Sequence, residues 1–124
     1  EQYMIGGMKT EAGTDRVIPI ADKILPLVKN RYDANRRFLV NNKYGNHYTY
    51  GSYVSANFNT VMNKLNMKHL PHDGRHTFAS LMDDAGANEV CIKLIMGHSM
   101  KNNVTKGVYT HKTTQQLIDE VNKI

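Results

Sequence analysis

The sequence contains a single cysteine, Cys91, in 124 residues, and it has no long apolar run. One cysteine excludes an internal disulfide, so the usual signature of an oxidising compartment is missing. No apolar stretch is long enough to cross a bilayer, and residues 1–8 lack the basic start and apolar centre of a signal peptide. We therefore expect a cytoplasmic protein that does not contact a membrane.

The sequence also lacks internal repeats, low-complexity linkers and a polybasic tail. Its size suits one domain or part of one domain. Sixteen lysines and arginines against eleven aspartates and glutamates give a formal charge of +5 and a pI of about 9.4. A basic balance favours polyanionic partners, nucleic acid first, although many soluble proteins are mildly basic.

Turn residues and apolar periodicity predict an α+β chain that is mainly α-helical, with a small N-terminal antiparallel hairpin. The hairpin is predicted over residues 3–8 and 16–20, around the turn residues Gly13 and Asp15. The run "RFLV", residues 37–40, is predicted to form another short strand, followed by a turn.

Helices are predicted over residues 21–32, 50–65, 73–85, 89–96 and 113–124. Pro26 indicates a late start or a kink in the first of them. Gly86 and Asn88 suit the end of one helix and the N-cap of the next. The last helix has an apolar face that must be buried, either on its own core or on a neighbouring subunit. That face consists of Leu117, Ile118, Val121 and Ile124.

The segment "LPHDGRHTFASL", residues 70–81, places two histidines around an arginine. His72 and His76 are four residues apart and could share a metal ion on one helical face. Asp73 stands where a metalloprotease needs glutamate, and His72-Asp73 resembles HD-type metal-dependent phosphohydrolases. Arg75 argues against a metal, because its positive charge repels a cation held between two ligands.

The same residues suit an anion. The guanidinium of Arg75 matches two phosphate oxygens, and the first turn of a helix favours negative charge. His72 and His76 can add hydrogen bonds. For any one of these residues alone, an ordinary structural or surface role is the better interpretation, but the three together favour a phosphate site.

Two later segments add reactive groups. In "LIMGHS", Gly97 ends a helix and His98 leaves it. In "VYTH", Tyr109 precedes the last helix, and a tyrosine hydroxyl can attack phosphorus if the developing charge is neutralised.

The segments "PHDGRHTFAS", "LIMGHS" and "VYTH", in this order, resemble the tyrosine recombinase family of phage and transposon integrases. His72, Arg75 and His76 match its H-x-x-R-H motif, Gly97 and His98 its L-G-H motif. Met96 replaces the usual leucine. Upstream, "MKTEAGTDRVIPI" is similar to the family's hairpin, and Lys9 matches the hairpin lysine.

The resemblance implies site-specific recombination of double-stranded DNA through a 3′-phosphotyrosyl intermediate, without metal or other cofactor. Tyr109 is then the nucleophile, Arg75 and His98 bind the non-bridging oxygens, and His72 takes part in proton transfer. Lys9 protonates the leaving 5′-oxygen, and His76 orients its neighbours without touching the phosphate.

Three further basic residues near these motifs are candidates for phosphate contacts: Arg16, Lys101 and Lys106. The resemblance also implies a homotetramer on DNA in which the last helix packs on a neighbouring subunit. We therefore expect a monomer in solution and helix exchange only on DNA.

One family element is missing. A second catalytic arginine belongs to a T-G-x-R-x-x-E motif before the hairpin, and the chain contains no such motif. We therefore expect residues 1–124 to form the C-terminal portion of a catalytic domain, with little activity alone. The alternatives are the HD-type phosphohydrolase and a non-catalytic DNA-binding module of the same fold.

Overall fold

The computed structural model describes residues 2–7, 10–99 and 112–124. The chain divides into two compact units. Residues 1–25 and 77–124 form the first, here called the core unit, and residues 26–76 form the second, here called the basic unit. The expected α+β class, mainly helical with one small antiparallel sheet, is confirmed.

The predicted hairpin is confirmed in the core unit. Strands β1 (Tyr3–Gly6) and β2 (Arg16–Pro19) pair antiparallel, with Ile5 opposite Val17. A short 3-10 turn, Glu11–Gly13, lies in the connection. This turn places a glycine backbone at the end of the hairpin, where no side chain blocks the approach of a neighbouring segment.

The helices predicted at residues 21–32 and 50–65 are both present. Helix α1 is Leu25–Arg31, and Pro26 lies in its first turn, where a missing N–H costs no hydrogen bond. Helix α2 (Tyr50–Tyr53) continues through a π-helical segment, Val54–Phe58, into helix α3 (Asn59–Lys64).

The strand predicted at residues 37–40 is wrong. Within the described residues the sheet has two strands only, β1 and β2, so no strand pairs with this segment. Its Phe38 ring packs edge-on against His47, with ring centroids 5.3 Å apart. The turn that follows is confirmed, because Asn42 accepts the backbone N–H of Gly45 at 3.0 Å.

Three more helices agree with their predicted positions: α4 (Asp73–Asp84), α5 (Glu89–Met96) and α6 (Thr114–Val121). The side chain of Asn88 caps α5 by accepting two backbone N–H groups. Thr113 and Gln116 form a capping box at the start of α6. These caps explain why the boundaries could be predicted from local sequence.

One apolar cluster joins the elements of the core unit. Its buried members come from α4, α5, α6 and the second residue after the end of β2: Ala21, Met82, Cys91, Ile95, Leu117 and Val121. Burial raises the pKa of the Cys91 thiol, which makes it an unreactive core residue. Leu81, which neighbours Met82 in α4, is exposed.

The apolar face of α6 is buried within the core unit. Leu117, Ile118 and Val121 are buried, and Ile124 packs partly against the same cluster. Of the two packing arrangements left open by the sequence, the structure shows packing on the chain's own core. No helix in the described part of the chain is long and apolar enough to span a membrane.

Candidate functional site

The start of helix α4 is held by the carboxylate of Asp73. Its Oδ2 accepts the backbone N–H of Leu70 at 2.9 Å, and the backbone N–H of Asp73 donates to the Leu70 carbonyl at 3.0 Å. The Nδ1 atom of His69 lies 3.3 Å from the same oxygen. The Leu70 N–H, together with His69, lowers the pKa of Asp73. This pair of reciprocal bonds fixes where the helix begins, two residues before Arg75.

Arg75 lies in the first turn of α4, as the sequence predicted. Its backbone N–H donates to the carbonyl of His72 at 3.0 Å, and its side chain is half-buried. The first turn of a helix presents unpaired N–H groups and the positive end of the dipole. A guanidinium placed there adds a cation that binds phosphate oxygens in pairs.

The two histidines of the cluster are in contact. The rings of His72 and His76 meet edge to face, with centroids 5.0 Å apart and planes at 78°. Both residues are exposed. An exposed imidazole pair beside Arg75 can exchange protons with a ligand and donate hydrogen bonds to it.

The metal alternative gains no support from the geometry. No group of three or more histidine, cysteine or carboxylate side chains in residues 2–7, 10–99 and 112–124 is arranged to hold a metal ion. Asp73, the carboxylate that an HD-type centre needs, uses its Oδ2 to close the turn before α4. His72 and His76 alone make an incomplete ligand set.

His98 follows the end of helix α5 in the core unit. Gly97 adopts the left-handed conformation, with φ 68° and ψ 36°, which ends the helix. The backbone N–H of His98 donates to the Lys93 carbonyl at 2.9 Å, so its main chain is fixed by the cap. The side chain is exposed, as expected for a residue that leaves the helix.

Arg16 has a structural setting that sequence reasoning missed. Its Nε donates to the carbonyl of Ile95 at 2.8 Å, and its Nη1 donates to the carbonyl of Gly13 at 3.0 Å. The first carbonyl belongs to the last turn of α5, which attracts cations. The sequence shows that Arg16 is basic, but no local pattern could predict a hydrogen bond to Ile95, which is 79 residues away.

The remaining predicted residues lie outside the described residues: Lys9, Lys101, Lys106 and Tyr109. Their roles stay predictions. Of the described residues, His72, Arg75 and His76 belong to the basic unit, and Arg16 and His98 belong to the core unit.

Charge is divided unevenly between the two units. The basic unit contains eight lysines and arginines and two aspartates, a formal charge of +6, whereas the core unit contains eight basic and nine acidic residues, a charge of −1. In the basic unit the Lys43 ammonium lies 4.9 Å from the centre of the Tyr44 ring, and the Arg37 guanidinium lies 5.6 Å from that of Phe38. Cations beside aromatic rings on one strongly positive segment suit a nucleic acid.

The chain is similar to several curated proteins. A tyrosine recombinase of Thermosipho africanus (strain TCF52B) is 27% identical over 112 residues, covering 89% of this chain and 39% of that protein. Tyrosine recombinase XerC of Chlorobaculum tepidum is 27% identical over 122 residues, covering 87% and 36%. The transposase from transposon Tn916 of Enterococcus faecalis is 27% identical over 146 aligned residues, covering 98% and 34%.

The chain thus spans a little over a third of the length of these curated relatives, 34% to 39%. No solved structure matches it. The model of the phage integrase family matches residues 3–116. This stretch contains His72, Arg75, His76, His98 and Tyr109. The resemblance carried by these motifs is confirmed, and the chain belongs to the phage integrase family.

Proposed function

We propose that this chain supplies the C-terminal part of the catalytic domain of a DNA strand transferase that acts in the cytoplasm. The observation that carries the proposal is the arrangement at α4. A half-buried arginine lies in the first turn of a helix, and the two exposed histidines that flank it in the sequence have their rings in contact. Such a group binds a phosphodiester and can move protons beside it.

In the proposed reaction the hydroxyl oxygen of Tyr109 attacks the scissile phosphorus. The P–O5′ bond breaks, a 3′-phosphotyrosyl bond forms, and the leaving oxygen becomes a free 5′-hydroxyl. His72 takes part in moving the tyrosine proton, and Lys9 gives a proton to the 5′-oxygen. A 5′-hydroxyl of another strand reverses the step and joins the new partner, so the phosphoester bond energy is kept in the protein–DNA link.

Arg75 and His98 stabilise the charge that develops on the non-bridging oxygens, and His76 orients His72. By analogy with oxyanion-hole donors, the loss of one such group slows cleavage about 10²–10³-fold. The second arginine, which the family places before the hairpin, supplies a comparable contribution. We therefore propose that efficient cleavage needs that arginine together with residues 1–124.

Double-stranded DNA is the proposed partner, and the basic unit supplies much of the electrostatic attraction. Its charge of +6 suits counterion release from duplex DNA. We further propose a monomer in solution and a homotetramer on DNA, with α6 leaving its own core to pack on a neighbour. For this exchange to be favourable, Leu117 and Val121 must be buried again against the neighbouring subunit.

A covalent trap tests the proposed reaction in the full natural protein that carries these residues. A nicked suicide duplex should accumulate a protein–DNA adduct, which is stable to denaturation and is detected by gel shift. Tyr109→Phe should abolish the adduct, because the attacking hydroxyl is lost. Tyr32→Phe is the matched control, since Tyr32 is 70% exposed and has no proposed role. An undiminished adduct in Tyr109→Phe would show that another residue is the nucleophile.

The charge of the basic unit also supports a second function, a DNA-binding module without catalysis. This function depends on residues 26–76 and not on Tyr109. The same experiment separates the two, because a non-catalytic module binds the duplex with the expected salt dependence but forms no adduct with any variant.

A further inference from the structure

Arg16 joins the hairpin to the end of helix α5. The helix leaves its last four carbonyls without partners in its own ladder, and Ile95 supplies one of them. The Nε of Arg16 donates to that carbonyl at 2.8 Å, while Nη1 donates to Gly13 in the hairpin connection at 3.0 Å. One guanidinium therefore binds two segments that are distant in the sequence.

Two glycines, Gly7 and Gly97, lie so close to the Arg16 side chain and to the Gly13 backbone that no side chain fits at their positions. A Cβ atom at Gly97 would lie 2.8 Å from the Cα of Gly13 and 3.0 Å from the Cδ of Arg16. A Cβ atom at Gly7 would lie 1.8 Å from the Gly13 carbonyl oxygen and 2.3 Å from the Nη1 of Arg16. The hairpin and the end of α5 are thus in backbone contact, and Arg16 fills the remaining space.

The residue that follows this contact is His98. Gly97 turns the chain, and the backbone N–H of His98 is bonded to Lys93 in the same helix end. A shift of the α5 terminus relative to the hairpin therefore shifts His98. Displacing a catalytic group by about 1 Å can cost about 10²-fold in rate.

We propose that Arg16 is a positioning residue for His98, acting through the backbone at Gly13 and Ile95 and not through DNA. The catalytic role of His98 in this inference rests on the proposed function. The contact of Arg16 with the carbonyls of Gly13 and Ile95 does not depend on it. It revises the sequence-based prediction that Arg16 contacts a DNA phosphate. The two roles differ in what the arginine contributes, since a phosphate contact adds affinity and a positioning contact adds rate.

The first test measures cleavage with saturating suicide duplex in the full natural protein, after thermal unfolding has shown that each variant is folded. Arg16→Ala should cleave about 10- to 100-fold more slowly, with the salt slope of DNA binding unchanged. Arg16→Lys should not restore the rate, because one ammonium group cannot reproduce the two-pronged geometry. Lys23→Ala, which removes an exposed cation from the same unit, is the charge control.

A double-mutant cycle then tests whether the effect passes through His98. In a His98→Ala background, Arg16→Ala should cause little further loss, because residues that act through one another are not additive. Fully additive losses would overturn the proposal in favour of general destabilisation. A salt slope lower by about 0.9 would overturn it in favour of a phosphate contact.

A measurement that needs no catalysis separates this inference from the proposed function. In the 124-residue chain, Arg16→Ala should speed amide hydrogen exchange at Gly97 and His98 about tenfold. The Ala87 amide, which donates to Met82 at 2.9 Å in the same unit, should keep its rate. Equal acceleration at all three amides, or at none, would overturn the positioning role. If the wild-type protein formed no covalent adduct with DNA, the proposed function would be overturned. The hydrogen-exchange rates at Gly97 and His98 would still show whether Arg16 holds the end of α5.

Discussion

The two units of this chain differ in both burial and charge. The core unit contains all six residues of the buried apolar cluster, including Met82 and Cys91, and its net charge is near zero. In the basic unit, residues 26–76, which the structure describes throughout, not one residue is buried, and the charge is +6. The core unit therefore supplies most of the apolar burial that stabilises the fold, and the basic unit supplies the net positive charge that attracts a polyanion.

This division has a physical reason. Like charges repel, and burying charged groups is unfavourable. A segment with eight cations and two anions therefore keeps its charged groups solvated and does not pack them into a buried core. The same charges are favourable beside a polyanion. The reactive side chains are distributed over both units, with Arg75 in the basic unit and His98 in the core unit.

The largest effect is expected from a cavity in the core unit. Met82 is fully buried, so Met82→Ala should lower the free energy of unfolding by about 2–5 kcal/mol. Leu27→Ala, at a position 67% exposed in the basic unit, should change it by about 0.5 kcal/mol or less. Urea titration followed by circular dichroism measures both. Similar losses of unfolding free energy in the two variants would show that the basic unit contributes to stability as much as the core unit does.

The local elements of the core unit were predictable because their signals are local. Asn88 and Thr113 cap α5 and α6 as their side chains suggest, and Gly97 ends α5 in the left-handed conformation. Hydrophobic spacing then identified the buried face of α6. Each of these features depends on residues within about one turn of one another, which a single sequence displays directly.

The features that local sequence could not predict depend on distant partners. The residues from Arg37 to Val40 have a strand-forming composition, but a strand needs a neighbour, and pairing is decided elsewhere in the chain. The bond of Arg16 to the Ile95 carbonyl also depends on a residue distant in the sequence, and the predicted contact of Arg16 with DNA stays a prediction. Of the candidate site, the order and chemistry of the groups were predictable, and the contacts that hold them were not.

An intermediate effect is expected from charge removal in the basic unit. Replacing Arg37 and Lys43 together by glutamine should lower the log–log salt slope for duplex DNA by up to about 1.8, at about 0.9 per phosphate contact. The control removes two cations from the core unit, Lys23 and Lys93, and should leave the slope unchanged. Fluorescence anisotropy over a range of salt concentrations measures both slopes. Equal reductions would show that affinity follows net charge, without a special contribution from the basic unit.

The smallest effect concerns a carboxylate that links two helices of the core unit. Glu120 accepts the backbone N–H of Asn88 at 2.7 Å, and the Nζ of Lys123 lies 2.9 Å from the same oxygen, Oε2. The Lys123 ammonium, with help from the Asn88 N–H, lowers the pKa of Glu120. A carboxyl group with a lowered pKa binds fewer protons in the folded state than in the unfolded state.

The contribution of Glu120 to stability should therefore be complete above the unfolded pKa, about 4.3, and should be lost as the pH falls through the lower folded value. Glu120→Gln should cost about 1 kcal/mol or less at neutral pH, because the pair is near the surface. It should also flatten the fall of unfolding free energy between neutral and acidic pH. Asp119→Asn, at the exposed neighbouring carboxylate, is the control. Urea titrations across this pH range measure the slope. If Glu120→Gln leaves the pH dependence intact, the acid sensitivity of the core unit must come from another carboxylate.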